Sequence, residues 1–354
     1  PLIRPARFLM GGGAALVLAC SQPASRAPEP RVVLEQQVSG TTALLQAVSA
    51  VNESVAWVSG HAGTWARTLD GGRTWQAGKV PGGDSLQFRD VHALSAELAW
   101  LMSAGPGTLS RIYRTEDGGA SWALQFTNSV PTAFYDCMSF WDERRGLAYS
   151  DQVDGRVMLL ATTDGGESWN LVPQHRLPRA LPDEGGFAAS GTCLVTRPGG
   201  LAWIATGNGP RSRVLRTDDY GATWSVTDVP VPAGEAAGLA TITFRDDRNG
   251  AALGGTIGSP EVHTDNVAVT TDGGRSWRIS GRTAWPGAAY GAAYVPGSVN
   301  ALVAVSPKGA GISRDDGRTW AVLDSVSYWG IGFSPDGAGW ITGPRGRIAR
   351  VNIR

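Results

Sequence analysis

An eight-residue pattern recurs six times along this chain, and that recurrence leaves few folds open to it. The copies run Thr68 to Trp75, Thr115 to Trp122, Thr162 to Trp169, Thr217 to Trp224, Thr270 to Trp277 and Ser313 to Trp320, and each reads Ser/Thr-x-Asp-x-Gly-x-Ser/Thr-Trp. Their closing tryptophans lie 47, 47, 55, 53 and 43 residues apart. A tandem period of this length means that each repeat is one supersecondary unit, unable to bury its apolar face alone and obliged to stack on its neighbours.

Every copy sits in the same local context. Val55-Ala56-Trp57-Val58 before the first and Leu201-Ala202-Trp203-Ile204 before the fourth are apolar runs, each followed by a Gly-containing turn and a second run that enters the pattern. That order describes a β-hairpin. Within the pattern, Asp70, Asp117, Asp164, Asp219, Asp272 and Asp315 are suited to accept backbone N–H groups in a tight turn, and the glycines supply positive φ. Trp75, Trp122, Trp169, Trp224, Trp277 and Trp320 are expected to fill the space between neighbouring sheets. The 48 Gly and 21 Pro among 354 residues agree with many short strands and tight turns.

The spacing fits one four-stranded antiparallel blade per repeat, so residues 32–354 are expected to form one all-β domain, a seven-bladed β-propeller, with six or eight blades as alternatives. The seventh blade has no copy of the pattern. Tyr328 to Phe333 and Gly339 to Thr342 nevertheless repeat the inner-strand and hairpin arrangement, and Arg31 to Val38 is suited to supply the missing outer strand. Pairing N- and C-terminal strands would close the ring and remove exposed sheet edges.

The six copies match the Asp-box, or BNR-type, repeat, which also occurs in sialidases, sortilin and xyloglucanases. Over about nine-tenths of its length the chain resembles the photosystem II stability and assembly factors and their relatives in other bacteria. The resemblance implies the propeller, and a binding or assembly scaffold in preference to an enzyme. It does not imply one activity, because these families share a fold more than a function.

Arg4 and Arg7 precede the apolar run Phe8 to Ala19, which has the length of a signal-peptide core and is too short to span a bilayer. The run ends Leu16-Val17-Leu18-Ala19-Cys20, similar to a bacterial lipobox. Residues 1–20 are therefore expected to be a signal peptide, Cys20 a lipidation site and residues 21–31 a flexible linker. The protein is placed in a bacterial cell envelope, lipid-anchored and facing the periplasm or exposed, with simple secretion as the alternative. A monomer is expected. Lys plus Arg equals Asp plus Glu at 31 each, so no global field favours nucleic acid, and any binding must come from a local patch.

Inner strands line the axial channel of a propeller, so candidate functional residues lie upstream of each hairpin. The polar and aromatic residues at the starts of these segments are Arg89, Asp90, His92, Tyr135, Asp136, Thr192, Tyr290, Tyr328 and Trp329. Together they would line a funnel mouth able to hold a ligand or a segment of a client protein. The bland alternative is that the aspartates fix loops and the aromatics pack between strands. The connection from Val172 to Ser190, carrying Arg179 and Glu184, is long for a loop and is a candidate lid; the alternative is a solvated excursion.

Cys137 and Cys193 occupy matching positions on successive inner strands, which favours a disulfide in an exported protein; two buried thiols or a redox-active pair remain alternatives. Asp90 and Asp136 are the only weak catalytic candidates, as the carboxylate pair of a glycoside hydrolase, sialidase-like or other. Arg67, Arg114 and Arg216 lie just before boxes and read as surface residues, so no arginine set for a carboxylated sugar is evident. The four histidines show no zinc-binding spacing, and no nucleotide-binding glycine loop follows a strand. No metal or cofactor is expected.

Overall fold

The computed structural model describes Leu2 and residues 31–353. The expected signal peptide, Cys20 and the linker otherwise lie outside the described residues. From Val32 onward, 28 strands form seven four-stranded antiparallel sheets. Blades 1 to 6 are consecutive meanders: Leu45–Lys79, Phe88–Thr127, Tyr135–Leu171, Leu194–Val229, Ala237–Gly281 and Gly291–Asp324. Blade 7 takes three strands from Gly330–Ile353 and its outermost strand from Val32–Val38. The closing pair is antiparallel and unbroken from Val32 opposite Ile353 to Val38 opposite Arg347. Each inner strand packs beside the inner strands of both neighbouring blades, and that of blade 7 beside blade 1, so the ring is complete.

The second strand of a blade is covered by a neighbouring blade on each face. Segments such as Ala56–Gly60 and Ala99–Ser103 are accordingly buried throughout, as expected for a continuous apolar run. The outermost strands, such as Ala123–Thr127, are largely open to solvent.

The boxes are turn devices. In the first, Asp70 Oδ1 accepts the Thr74 N–H at 2.9 Å and the Thr68 hydroxyl at 2.9 Å, while Oδ2 accepts the Thr74 hydroxyl at 2.7 Å. The Gly72 N–H donates to Thr68 Oγ1 at 2.8 Å, and the chain then turns away with φ of 87° at Gly72, in the region that favours glycine. The same bonds recur around Asp117, Asp164, Asp219, Asp272 and Asp315.

The box tryptophans do pack between neighbouring sheets, as Trp122 does against Trp57 and Trp65 of the preceding blade, but two points of the expectation change. The fully buried indoles are Trp57, Trp100, Trp203 and Trp340 of the second strands, whereas the box tryptophans are only half-buried. Trp100 stacks on Phe140 of the next blade at 4.0 Å and donates to the Gly165 carbonyl there; Trp203 stacks on Phe244 at 3.7 Å and donates to Gly273. Nor are the arginines before the boxes simple surface groups. The guanidinium groups of Arg67 and Arg114 lie over the Trp57 and Trp100 rings, at 5.2 and 5.6 Å, and Arg216 is buried.

Candidate binding site at the channel mouth

All seven inner strands run in the same direction, so their first residues ring one mouth of the channel. At this level several strands carry a β-bulge. Gln46, Arg89, Asp136 and Ala240 are each skipped in the register of blades 1, 2, 3 and 5. In blades 6 and 7, Tyr290 and Trp329 occupy the equivalent place, since each shares its carbonyl partner with the residue that follows it. Thr192 precedes the pairing of Cys193 with Ala205 in blade 4 and completes the ring. A bulge releases one side chain from the pleat and re-aims it, so each blade contributes one residue to the mouth.

The next position along each strand faces the neighbouring blade. Asp90 accepts the Met138 N–H at 2.6 Å, Thr241 accepts the Ala292 N–H at 3.0 Å, and Cys137 is disulfide-bonded to Cys193 with Cα atoms 6.0 Å apart. Asp90 therefore stitches blade 2 to blade 3. Burial holds its carboxyl well above the usual carboxylate range.

Other sequence candidates also lie away from the mouth lining. The His92 ring packs against Trp100 and Phe140, and burial lowers its pKa to about 4, keeping it neutral. Tyr135 is buried edge-on to Phe126. Tyr328 is buried, donating to Asp324 and accepting from Gln36 of the closing strand, both at 2.9 Å. Tyr290 and Trp329 do meet at the mouth, half-exposed and edge-to-face at 4.9 Å.

The long connection enters the mouth. Glu184, buried, accepts a forked ion pair from Arg213 and the Thr206 hydroxyl at 2.7 Å, while Arg179 offers its carbonyl to the same guanidinium at 3.0 Å. From this anchor the chain runs Gly185 to Ser190. Gly185 exchanges two backbone bonds with Gly207 of blade 4, and the Gly186 N–H donates to Asp151 of blade 3 at 3.0 Å. The Ala188 carbonyl accepts from Arg89 of blade 2, and the Ala189 carbonyl accepts from Gln46 of blade 1 at 3.5 Å. The Ser190 hydroxyl donates to the Tyr290 carbonyl of blade 6 at 2.6 Å. A six-residue segment touching five blades must lie across the axis.

Beneath it are two acids. Asp136 Oδ2 is buried without a protein donor, and the neighbouring Asp151 carboxyl is placed to share a proton with Asp136. Burial, and then the Asp151 charge, push the Asp136 carboxyl well up; burial raises Asp151 to about 6. The Asp90 and Asp136 carboxylates thus do not flank an open, sugar-sized gap: one is bonded to backbone and the other to a second acid under the segment.

Sequence reasoning missed Gln46 and Asp151; it offered the connection to Ser190 as a candidate lid, but not that Gly185–Ser190 would lie within the mouth. Gln46 was accessible, because it is the polar residue of blade 1 in register with Arg89 and Asp136. Asp151 sits just past the second strand's pairing with Tyr135, where no periodicity marks it.

No family model matches the chain. It is 27% identical over 226 residues to the photosystem II assembly lipoprotein Ycf48 of Synechococcus sp. (strain CC9902), covering 62% of this chain and 57% of that relative. It is 26% identical over 299 residues to the photosystem II assembly protein Ycf48 of Synechococcus sp. (strain JA-2-3B'a(2-13)), covering 72% of this chain and 81% of the relative. The solved structure described as YCF48 bound to D1 peptide superposes with a TM-score of 0.59 at 18% identity, covering 93% of this chain and 99% of that one. In sequence and in blade architecture alike, the chain is a seven-bladed β-propeller that resembles the photosystem II assembly factors.

Proposed function

We propose that this protein is a non-catalytic scaffold of the cell envelope that holds a segment of a client protein at the channel mouth, with Cys20 as the site of a lipid anchor. One observation carries the reading: the mouth already accommodates polypeptide, with the backbone carbonyls and N–H groups of Gly185–Ser190 bonded from four blades and the Ser190 hydroxyl bonded to a fifth. Backbone-directed bonds give affinity for a peptide, and nearby aromatic and charged side chains give selectivity. Arg89, Tyr290 and Trp329 are the residues placed for that selection. The name of one solved relative, bound to a D1 peptide, supports a peptide client here too, without identifying it.

A photo-crosslinking amino acid placed at Tyr290 or Trp329 in cells tests the reading. It should trap one polypeptide species, with little adduct from the same group at Trp169 on the blade rim. Equal adducts from mouth and rim would remove the mouth from consideration.

A further inference from the structure

The segment across the mouth has the properties of a bound peptide, although it belongs to the chain itself. Its contacts are made mainly through backbone, and four of its six side chains are Gly or Ala. The fit is close: a Cβ on Gly185 would stand 1.9 Å from Asp151 Oδ1, and one on Gly186 would stand 2.9 Å from the Asp136 Cβ. The segment is also pinned just outside the mouth at both ends. Glu184 is held by Arg213 on one side, and Cys193, three residues past Ser190, is disulfide-bonded on the other. Between the pins, Ala188 and Ala189 are buried, but neither belongs to the apolar clusters packed between the blades.

Resting on the scaffold reading, we propose that Gly185–Ser190 is a resident competitor for the client's place. The client is an uncharged peptide segment of mostly small side chains, and it binds by displacing this segment. The pins set the behaviour. They keep the segment at high effective concentration beside its site, so a free peptide of equal intrinsic affinity is outcompeted, and apparent affinity falls by the fraction of molecules in which the segment is out. They also leave the blades intact when it leaves, because the Arg213 pair and the disulfide lie outside the displaced stretch.

The test uses the full chain and a labelled synthetic peptide of residues 185–191 with blocked ends, Gly-Gly-Phe-Ala-Ala-Ser-Gly. In the double variant Gly185→Leu/Gly186→Leu, the resident segment no longer fits and the mouth is open. Fluorescence anisotropy should show the peptide binding this variant at least about tenfold more tightly than the unaltered protein. Binding to neither, or equally to both, overturns the proposal. Should the variant not fold, hydrogen exchange of the unaltered protein decides. Amides of 185–190 should exchange by local opening at least about tenfold faster than those of the adjoining inner strands. Exchange only in step with those strands means that the segment cannot yield, and the proposal fails. A segment that never opens leaves a client bound above it possible, whereas one that opens with no mouth adduct in cells removes the scaffold reading.

Discussion

Asp136 and Asp151 put two carboxyl groups into one water-poor site, and the consequence for stability runs opposite to that of the box aspartates. Both acids have folded-state pKa values above the ordinary range, Asp151 at about 6. The folded protein therefore keeps a proton that the unfolded chain releases. Their contribution is fully present below the ordinary carboxylate range and fades as pH rises through their raised pKa values, that of Asp151 at about 6. Asp136→Asn retains a hydrogen-bonding partner for Asp151 and removes one ionisation. Thermal unfolding followed by circular dichroism should show this variant melting a few degrees higher than the parent at pH 8, with the difference vanishing near pH 4. A lower melting temperature across the range would mean that the shared proton is not what joins the acids. In the boxes the sign reverses: hydrogen bonds from Thr74 hold Asp70 at about 2, so that contribution is present at neutral pH and fades only in strong acid. At this scale the two non-glycine residues forced to positive φ within boxes also find a reason. Tyr220 lies under Arg145, and Asp316 pairs with Arg245, each a contact that glycine could not make.

Among elements, the second strand of each blade bears the main packing load. Trp203→Ala removes an indole with no exposed surface, stacked at 3.7 Å and hydrogen-bonded across the blade junction, and should cost about 3–5 kcal/mol. Trp169→Ala, at a half-buried box position, should cost about half as much, because part of its surface is already in water. Denaturant unfolding of the two variants compares them directly, and equal losses would return the boxes to the centre of the packing. The blade plan was legible in the sequence because boxes, glycines and apolar runs are local signals with a fixed period. The mouth was only half legible. Register gave Arg89, Asp136, Thr192, Tyr290 and Trp329, since each starts an inner strand, but it equally gave Asp90, which a one-residue offset turns toward the next blade. The segment Gly185–Ser190 left no periodic trace. Its place is fixed by contacts to blades far away in sequence, and small residues that fit a crowded channel look like an ordinary loop when read alone.

For the whole molecule, closure rests on a single strand. Without Val32–Val38, the strand Arg347–Ile353 would present a row of unpaired backbone groups along seven residues. A chain beginning after Val38 should lose the closing pair together with the Gln36 bond to Tyr328 and the Gln37 bond to Trp75. Size-exclusion chromatography with light scattering should find it partly self-associated, and its melting temperature should fall. A monomer of unchanged stability would show that the ring does not need its clasp.

The same clasp gives the molecule a history in time. Roughly 300 residues separate Val38 from its partner Arg347. At a synthesis rate of about 5–20 residues per second, the first strand is made roughly 15–60 s before anything exists for it to pair with. Six blades can stack in the order they are made, but the seventh forms only when the last strand arrives to meet the first. Until then the oldest part of the protein is also its least finished, a free strand at one end of an open arc.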